Sequence, residues 1–147
     1  VEFGVITSHP GAEKQDTHSD VEFDADARCV YTTFVALQDI DEAMGPTHIW
    51  PGTHTEYFCS FYKPRMLGPV DPYYTDNPPE LMTVKAGDAV LMDTRVMHCG
   101  GLNNSKMDRM LLHFSFETQG QINAPSGKIS AQQSPWSSLG GKKHYLG

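Results

Sequence analysis

Residues 29–37 read CVYTTFVAL, a run in which six consecutive residues are β-branched or aromatic. Such side chains are typical of β-strands because they pack well on a pleated surface. Other runs of strand character lie between Gly, Pro and Asp turn signals, at residues 1–7, 48–50, 81–84, 89–93 and 109–117. No long window keeps the 3.6-residue apolar period of a helix. The chain is therefore predicted to be all-β with seven or eight strands, the number that a double-sheet jelly roll requires.

Three stretches outside these strands carry predictions of their own. The turn sequence KAGD at 85–88 predicts a hairpin between the strands on either side. Residues 55–80 hold five of the ten prolines and six aromatic residues, which indicates an ordered lid or binding loop. Residues 121–147 are rich in Ser, Gly and Gln. We therefore predict a single domain core at 1–120, followed by an irregular C-terminal tail at 121–147.

The composition excludes several classes of partner. The 147-residue chain has a formal net charge of −7 and no basic cluster, so neither nucleic acid nor an anionic membrane surface is expected to bind it. No apolar run approaches the roughly 20 residues of a membrane span. Three cysteines are too few for a disulfide framework and indicate an intracellular location, with the cytoplasm as the expected compartment. Because Val1 opens a strand-like sequence, we expect the N-terminal region of the same protein, including helices, to be missing.

Three sequence elements could carry chemistry. His18 and Asp20 are two residues apart, so in an extended strand both side chains project from one face and can bind a single ion. His98, in the sequence VMHCGG, is a further potential ligand. Arg109 begins a strongly apolar strand, where a buried guanidinium needs an anionic partner. Two histidines and one carboxylate form the facial triad that is typical of non-haem Fe(II).

Together these elements resemble the phytanoyl-CoA dioxygenase family of Fe(II)- and 2-oxoglutarate-dependent oxygenases. The resemblance rests on the order His-x-Asp, a strand, Gly-Pro-x-x-x-x-Pro-Gly-Thr-His, Gly-Asp, and a histidine followed eleven residues later by arginine. The matching pieces are GAEKQDTHSD (11–20), VALQDIDEAMGPTHIWPGTH (35–54), KAGDAV (85–90), RVMHCGGLNNS (95–105) and Arg109. Each piece is a weak signal, but their common order and spacing make a strong one.

The resemblance implies a double-stranded β-helix, which is a jelly-roll barrel, and an oxidoreductase with Fe(II), 2-oxoglutarate and O₂ as cofactors. It implies that His18, Asp20 and His98 are the catalytic metal ligands. Arg109 would bind the C5 carboxylate of 2-oxoglutarate, a role that suits its planar, bidentate donor group. Phe34 would line the cosubstrate pocket. The implied reaction converts 2-oxoglutarate to succinate and CO₂ and hydroxylates a small-molecule or lipid-like substrate.

Two other functions remain open from the sequence. The chain could be a non-catalytic jelly-roll binding module, or a cupin-like metalloenzyme that uses His18, His54 and His98 without 2-oxoglutarate. His113 shares a strand face with Arg109, so it is expected to line the pocket without binding the metal. The opposite face of that strand is apolar, and we expect it to form an exposed patch that promotes self-association.

Overall fold

The computed structural model describes residues 2–22, 29–63, 66, 68, 71–117 and 143–146. Its strands are β1 (Glu2–Ser8), β2 (Val30–Ala36), β3 (Thr47–Trp50), β4 (Glu80–Leu81), β5 (Ala89–Asp93), β6 (Met97–Gly100), β7 (Arg109–Glu117) and β8 (Lys143–Leu146). The helices are short: a 3₁₀-helix at Glu42–Met44, a π-helix at Phe58–Tyr62 and α1 at Pro72–Asp76. The described residues are thus mostly in sheet, which confirms the β-rich prediction.

The strands form two sheets. The large sheet has the order β1-β7-β2-β5-β8, and its strands are antiparallel except for β8, which runs parallel to β5. The small sheet has the order β4-β3-β6 and is antiparallel. The strands adjacent in sequence, β2 and β3 or β5 and β6, lie in different sheets. The chain therefore passes repeatedly from one sheet to the other.

One hydrophobic core joins the two sheets. From the large sheet, Phe34 on β2, Val90 on β5 and Leu111 on β7 contribute to it. From the small sheet, Ile49 on β3 packs into the same cluster. Because side chains alternate between the two faces of a strand, these contacts define the inner face of each sheet. The two sheets therefore face each other across a shared interior.

The predicted hairpin across residues 85–88 is wrong, although the turn itself forms. The Lys85 N–H donates to the Asp88 carboxylate at 2.9 Å, and the Asp88 N–H donates to the Lys85 carbonyl at 2.9 Å. However, β4 pairs with β3 in the small sheet, whereas β5 pairs with β2 in the large sheet. Met82 and Val84 are buried in the core shared by the sheets. Val84 forms an antiparallel bridge with Ile40 rather than with a residue of β5, so the chain changes sheets here.

Residues 55–80 are predicted to form a lid or binding loop, and the described part of this segment covers the outer face of the small sheet. Trp50 and Met97 project from that face and are buried in a cluster with Phe58. The ring of Tyr74 packs edge-on against Trp50, with a centroid distance of 5.0 Å. The apolar outer face of the small sheet has to be removed from water, and these aromatic side chains do so.

Only part of the predicted irregular tail can be compared with the structure. Residues 143–146 form β8 beside β5, and residues 121–142 and 147 lie outside the described residues. None of the helices in the described part of the chain has the length and apolarity needed to cross a membrane.

The outer face of β1 and β7 is apolar and accessible to solvent. Phe3 pairs with Phe114 across the two strands, and Val5 pairs with Leu112. Phe3 is 71% exposed and Val5 is 54% exposed, whereas Phe114 and Leu112 are half-buried. The apolar patch expected from the alternation along β7 is therefore present, and it extends onto β1.

Candidate functional site

Residues 15–20 run alongside β6 and the turn that precedes it. The His18 N–H donates to the His98 carbonyl at 2.9 Å, and the His98 N–H donates to the His18 carbonyl at 2.8 Å. Two residues further on, the Asp20 N–H donates to the Thr94 carbonyl at 2.9 Å. These backbone hydrogen bonds place the side chains of His18 and Asp20 beside that of His98.

The turn between β5 and β6 is held by a buried ion pair. The Asp93 carboxylate accepts hydrogen bonds from the Arg95 N–H at 3.0 Å and from Arg95 Nε at 2.9 Å. The hydrogen bonds that Arg95 donates to Asp93 raise the pKa of Arg95, so the guanidinium stays charged. The same turn supplies the Thr94 carbonyl that binds Asp20 and leads directly into His98. It therefore positions both sides of the candidate site.

The two imidazole rings have matching orientations. Nδ1 of His18 lies 2.8 Å from the Asp16 carbonyl oxygen, and Nδ1 of His98 lies 2.9 Å from the Val96 carbonyl oxygen. A carbonyl oxygen can only accept, so each Nδ1 carries a hydrogen, and in the neutral ring Nε2 then presents a lone pair. Both Nε2 atoms lie near Asp20 Oδ1, at 3.7 and 3.5 Å. Metal-binding histidines are usually oriented by such a second hydrogen bond.

The donor set fits a divalent transition metal. The potential ligand atoms of His18, Asp20 and His98 lie within 4.8 Å of one another, so small side-chain movements would bring all three to a ligand distance of about 2.0–2.2 Å. Burial lowers the pKa of His98, which favours the neutral imidazole that binds metals. Two imidazoles and one carboxylate on one side of an ion leave other positions open for small molecules.

A cavity of about 580 Å³ lies between the two sheets beside this cluster. This volume is within the usual range for small-molecule sites. The three potential ligands line one side of the cavity, and Phe34, Arg109 and His113 line it from the large sheet. The structure thus brings all five predicted site residues into one cavity, together with His113.

Arg109 is the buried cation of this cavity. It is 5% exposed; Nη1 donates to the Gly45 carbonyl, whereas the buried Nε has no hydrogen-bond partner. Burial lowers the pKa of Arg109, and among the described residues no carboxylate forms an ion pair that would oppose this effect. A bidentate carboxylate entering the cavity would supply the missing interaction. This arrangement fits the distal carboxylate of 2-oxoglutarate.

Gln15 is a cavity residue that the sequence analysis missed. Its Oε1 accepts a hydrogen bond from the Gly100 N–H at 2.7 Å. A Cβ at Gly100 would lie 2.9 Å from Gln15 Oε1 and 3.4 Å from Arg109 Nη2, so glycine makes room for both side chains. In a regular strand Gln15 would face away from His18, three residues later, and the sequence therefore gave no signal for its inward position.

His54 does not join the metal cluster. Among the residues that the structure describes, the group able to hold a metal consists of His18, Asp20 and His98. Burial lowers the pKa of His54, which lies near the Asp93–Arg95 ion pair instead. The structure therefore gives no support to a cupin-like ligand set that includes His54.

Comparison with known proteins gives one match to a family and several to solved structures. The sequence model of the family described as phytanoyl-CoA dioxygenase (PhyH) matches residues 2–111. No curated protein matches the chain. The similar structures include EvdMO1, which is 21% identical with a TM-score of 0.63, over 80% of this chain and 27% of that one.

Three further structures have similar scores. The non-heme alpha-ketoglutarate-dependent epimerase SnoN from nogalamycin biosynthesis is 19% identical, with a TM-score of 0.59, over 76% of this chain and 45% of that one. The non-heme alpha-ketoglutarate-dependent carbocyclase SnoK from nogalamycin biosynthesis is 24% identical, with a TM-score of 0.61, over 77% of this chain and 47% of that one. AviO1 from Streptomyces viridochromogenes Tue57 is 20% identical, with a TM-score of 0.61, over 84% of this chain and 52% of that one. The chain thus spans between about a quarter and a half of the length of these proteins, with which it shares a fold.

Proposed function

The chain belongs to the phytanoyl-CoA dioxygenase family, as its motifs predicted, and from this membership we propose that it is an Fe(II)- and 2-oxoglutarate-dependent dioxygenase that hydroxylates a small organic substrate. We propose further that its two facing sheets form the barrel of a double-stranded β-helix. Two proteins of similar structure, the carbocyclase SnoK and the epimerase SnoN, are alpha-ketoglutarate dependent. Their names support 2-oxoglutarate as the cosubstrate. Because one is a carbocyclase and the other an epimerase, the product that this chain forms from its substrate has to be measured.

One observation carries the proposal: a His-Asp-His cluster lines the same cavity as a buried arginine that has no carboxylate partner among the described residues. A metal site alone would be compatible with many functions. The additional buried cation in the same cavity favours a cosubstrate that has a carboxylate at each end. The proposed roles are metal binding for His18, Asp20 and His98, binding of the C5 carboxylate for Arg109, and packing against the cosubstrate for Phe34.

The chain's own residues orient and shield the reactants. The carbonyl groups of Asp16 and Val96 hold the two imidazole rings so that both Nε2 atoms face Asp20. Phe34 and Leu111, which belong to the hydrophobic core, also line the cavity and reduce the space open to water beside the reactants. When bound, Fe(II) supplies the oxidation of 2-oxoglutarate by O₂ to succinate and CO₂, with the second oxygen atom inserted into a C–H bond of the substrate.

A thermal-shift measurement with Mn(II) as a non-reactive metal tests the proposal. We expect 2-oxoglutarate to raise the melting temperature strongly when Mn(II) is present and weakly when it is absent, because ligands of the native state stabilise it. Asp20→Ala should remove the effect of Mn(II). Glu13→Ala is the matched control, since Glu13 lines the same cavity but is not part of the metal cluster.

The other outcomes identify the competing functions. A shift with Mn(II) that 2-oxoglutarate does not increase would indicate a metalloenzyme of another type. No shift with either compound would indicate a non-catalytic binding module. If the cosubstrate binds as proposed, succinate formation in the presence of Fe(II) and candidate substrates measures the activity itself.

A further inference from the structure

The cavity has two chemically different ends on either side of the metal cluster. At one end, Gln15 pairs with Gly100, next to the guanidinium of Arg109. At the other end, Asp20 binds the Thr94 carbonyl, and the Thr94 N–H donates to the carbonyl of Val30 at 3.1 Å. His18 and His98 lie between these two points. The segment with the proposed ligands therefore runs from the arginine end of the cavity to the Val30 end.

Strand β7 follows the same direction on the opposite side of the cavity. It begins with Arg109 and ends beside Val30, which pairs with Glu117. A cosubstrate that spans the distance from the metal to Arg109 occupies the first part of this path. The space between the metal and the Val30 end then remains for the substrate.

Three polar side chains from the large sheet line this second part of the cavity, and we call them the polar wall: Thr32, His113 and Ser115. Thr32 on β2 stands opposite Ser115 on β7, and their hydroxyl oxygens are 2.7 Å apart. His113 lies two residues before Ser115 and faces the same side. A Cβ at Gly4 would come within 2.8 Å of His113 Nε2, so Gly4 makes space for this ring.

The polar wall retains hydrogen-bonding capacity after its internal bond is formed. When two hydroxyl groups bond to each other, one hydrogen is used, and the other hydroxyl hydrogen and several lone pairs remain available. Thr32 and Ser115 both line the cavity, so a bound apolar group would cover these remaining sites without replacing their hydrogen bonds. The ring nitrogens of His113 add further hydrogen-bonding positions.

The polar wall carries no fixed charge. Among the described residues, the charged side chains that line the cavity are Glu13, Asp20 and Arg109. Glu13 and Asp20 belong to the ligand-bearing segment, and Arg109 lies at the other end of β7. The uncharged hydroxyl groups of Thr32 and Ser115 suit an alcohol or a carbonyl group better than a carboxylate or an alkyl chain.

Building on the proposed function, we propose that the polar wall is the substrate subsite and that the substrate is a neutral molecule bearing hydroxyl or carbonyl groups. Thr32 and Ser115 bind an oxygen of the substrate and thereby present a neighbouring C–H bond to the metal side of the cavity. An unsubstituted acyl chain would leave the polar wall without partners, so the site discriminates against it.

Titrations followed by NMR test this inference on the 147-residue chain loaded with Zn(II) and 2-oxoglutarate. The probes are cis-1,2-cyclohexanediol and cyclohexanone, compared with hexanoate as a simple acyl chain. We expect the two oxygenated probes to shift the amide signals of the polar wall and to bind more tightly than hexanoate. The double variant Thr32→Val with Ser115→Ala should weaken diol binding by about tenfold, which corresponds to the loss of one or two hydrogen bonds.

Thr33→Val is the matched control, because it makes the same change on the same strand at a residue that faces away from the cavity. It should leave diol binding unchanged, and both the control and the double variant should bind 2-oxoglutarate with wild-type affinity. Tighter binding of hexanoate, unchanged diol affinity in the double variant, or no binding of either probe class would overturn the inference. Failure of the proposed function is seen separately, as the absence of 2-oxoglutarate binding to the wild-type chain.

Discussion

Three side chains of the site each donate one hydrogen bond to a backbone carbonyl and direct another nitrogen toward the cavity: those of His18, His98 and Arg109. The two histidines donate from Nδ1 and present Nε2, whereas Arg109 donates to Gly45 through Nη1 and keeps Nε available. The backbone thus orients each side chain before any ligand arrives. Preorganisation of this kind lowers the cost of ordering these side chains on binding. Its energetic contribution can be measured one residue at a time.

Arg109→Lys tests the proposed carboxylate partner. Lysine keeps the positive charge but cannot present two parallel N–H donors, so we expect 2-oxoglutarate affinity to fall tenfold or more, on the basis of about 1.5–3 kcal/mol for a charged hydrogen bond. The affinity for Mn(II) alone should stay the same. Lys106→Ala is the control, because Lys106 does not line the cavity. If isothermal titration calorimetry showed the same 2-oxoglutarate affinity in Arg109→Lys as in the wild type, the C5 carboxylate would have to bind elsewhere.

The pH dependence of stability should report on His54. Burial lowers its pKa below the ordinary value of about 6.5, and its buried Nδ1 has no hydrogen-bond partner. Below pH 6.5 the unfolded chain therefore binds more protons than the folded chain, and the free energy of unfolding falls as the pH falls. Each such proton contributes at most about 1.4 kcal/mol per pH unit.

The replacement His54→Gln should make this acid-side decline less steep. Urea unfolding of the metal-free chain between pH 8 and pH 5.5 gives the comparison. His48 and His98 also have pKa values lowered by burial, so a shallower slope is expected rather than a flat one. An identical slope in both proteins would show that His54 is protonated equally in the folded and unfolded states.

At the scale of the elements, local sequence signals located six of the eight strands but not their partners, and they missed β6 and β8. The bounds of β5 and β7 agree with the prediction, because alternation and flanking turns are encoded within each segment. The assignment of β4 and β5 to different sheets depends on burial of distant residues, which no local pattern contains. The packing of the described part of residues 55–80 on the small sheet also depends on burial of residues that are distant in sequence.

The residues of the site also differ in whether the sequence alone could predict them. His18, Asp20, His98 and Arg109 could be found because their spacing and residue types are distinctive. Gln15 could not, because it reaches the cavity through an irregular backbone between Ala12 and His18. Sequence patterns identify residues with unusual chemistry, whereas ordinary polar residues gain a role only through their surroundings.

Two glycines at turns should respond differently to alanine. Gly45 and Gly52 both have positive φ, 64° and 82°, a conformation that costs other residues about 1–2 kcal/mol. A Cβ at Gly52 meets nothing within 4 Å, whereas a Cβ at Gly45 would lie 2.5 Å from the backbone of Gly101 and Leu102. We expect urea unfolding to show a loss of about 1 kcal/mol for Gly52→Ala. The loss for Gly45→Ala should be larger by about 1–3 kcal/mol because of the added steric overlap.

The Gly45→Ala variant also tests the link between this turn and the cavity. The Gly45 carbonyl accepts a hydrogen bond from Arg109, so displacement of the turn should weaken 2-oxoglutarate binding as well as stability. Equal losses of stability in the two alanine variants would mean that the backbone around residues 101 and 102 moves aside without lowering the free energy of unfolding.

At the scale of the whole molecule, the outer faces of the two sheets differ in how far other residues cover them. The outer face of the small sheet is covered by aromatic residues of the 55–80 segment. On the large sheet, the described residues leave Phe3, Val5 and Met110 accessible, with exposures of 71%, 54% and 37%. Contiguous apolar surface of this kind is normally removed from water by association. The net charge of −7 opposes association, because copies of the chain repel each other. Salt screens this repulsion and therefore weakens it.

We therefore expect the 147-residue chain to self-associate through the outer face of β1 and β7, increasingly so at high salt. Light scattering across a range of protein concentrations should show an apparent mass that rises above that of the monomer. Phe3→Lys together with Val5→Lys should restore the monomer, because two charges on the patch oppose burial of this face. Met107→Lys is the control, since Met107 is 62% exposed in a loop outside the sheet. A wild-type chain that remains monomeric at high concentration and high salt would show that this apolar face is stable in water by itself.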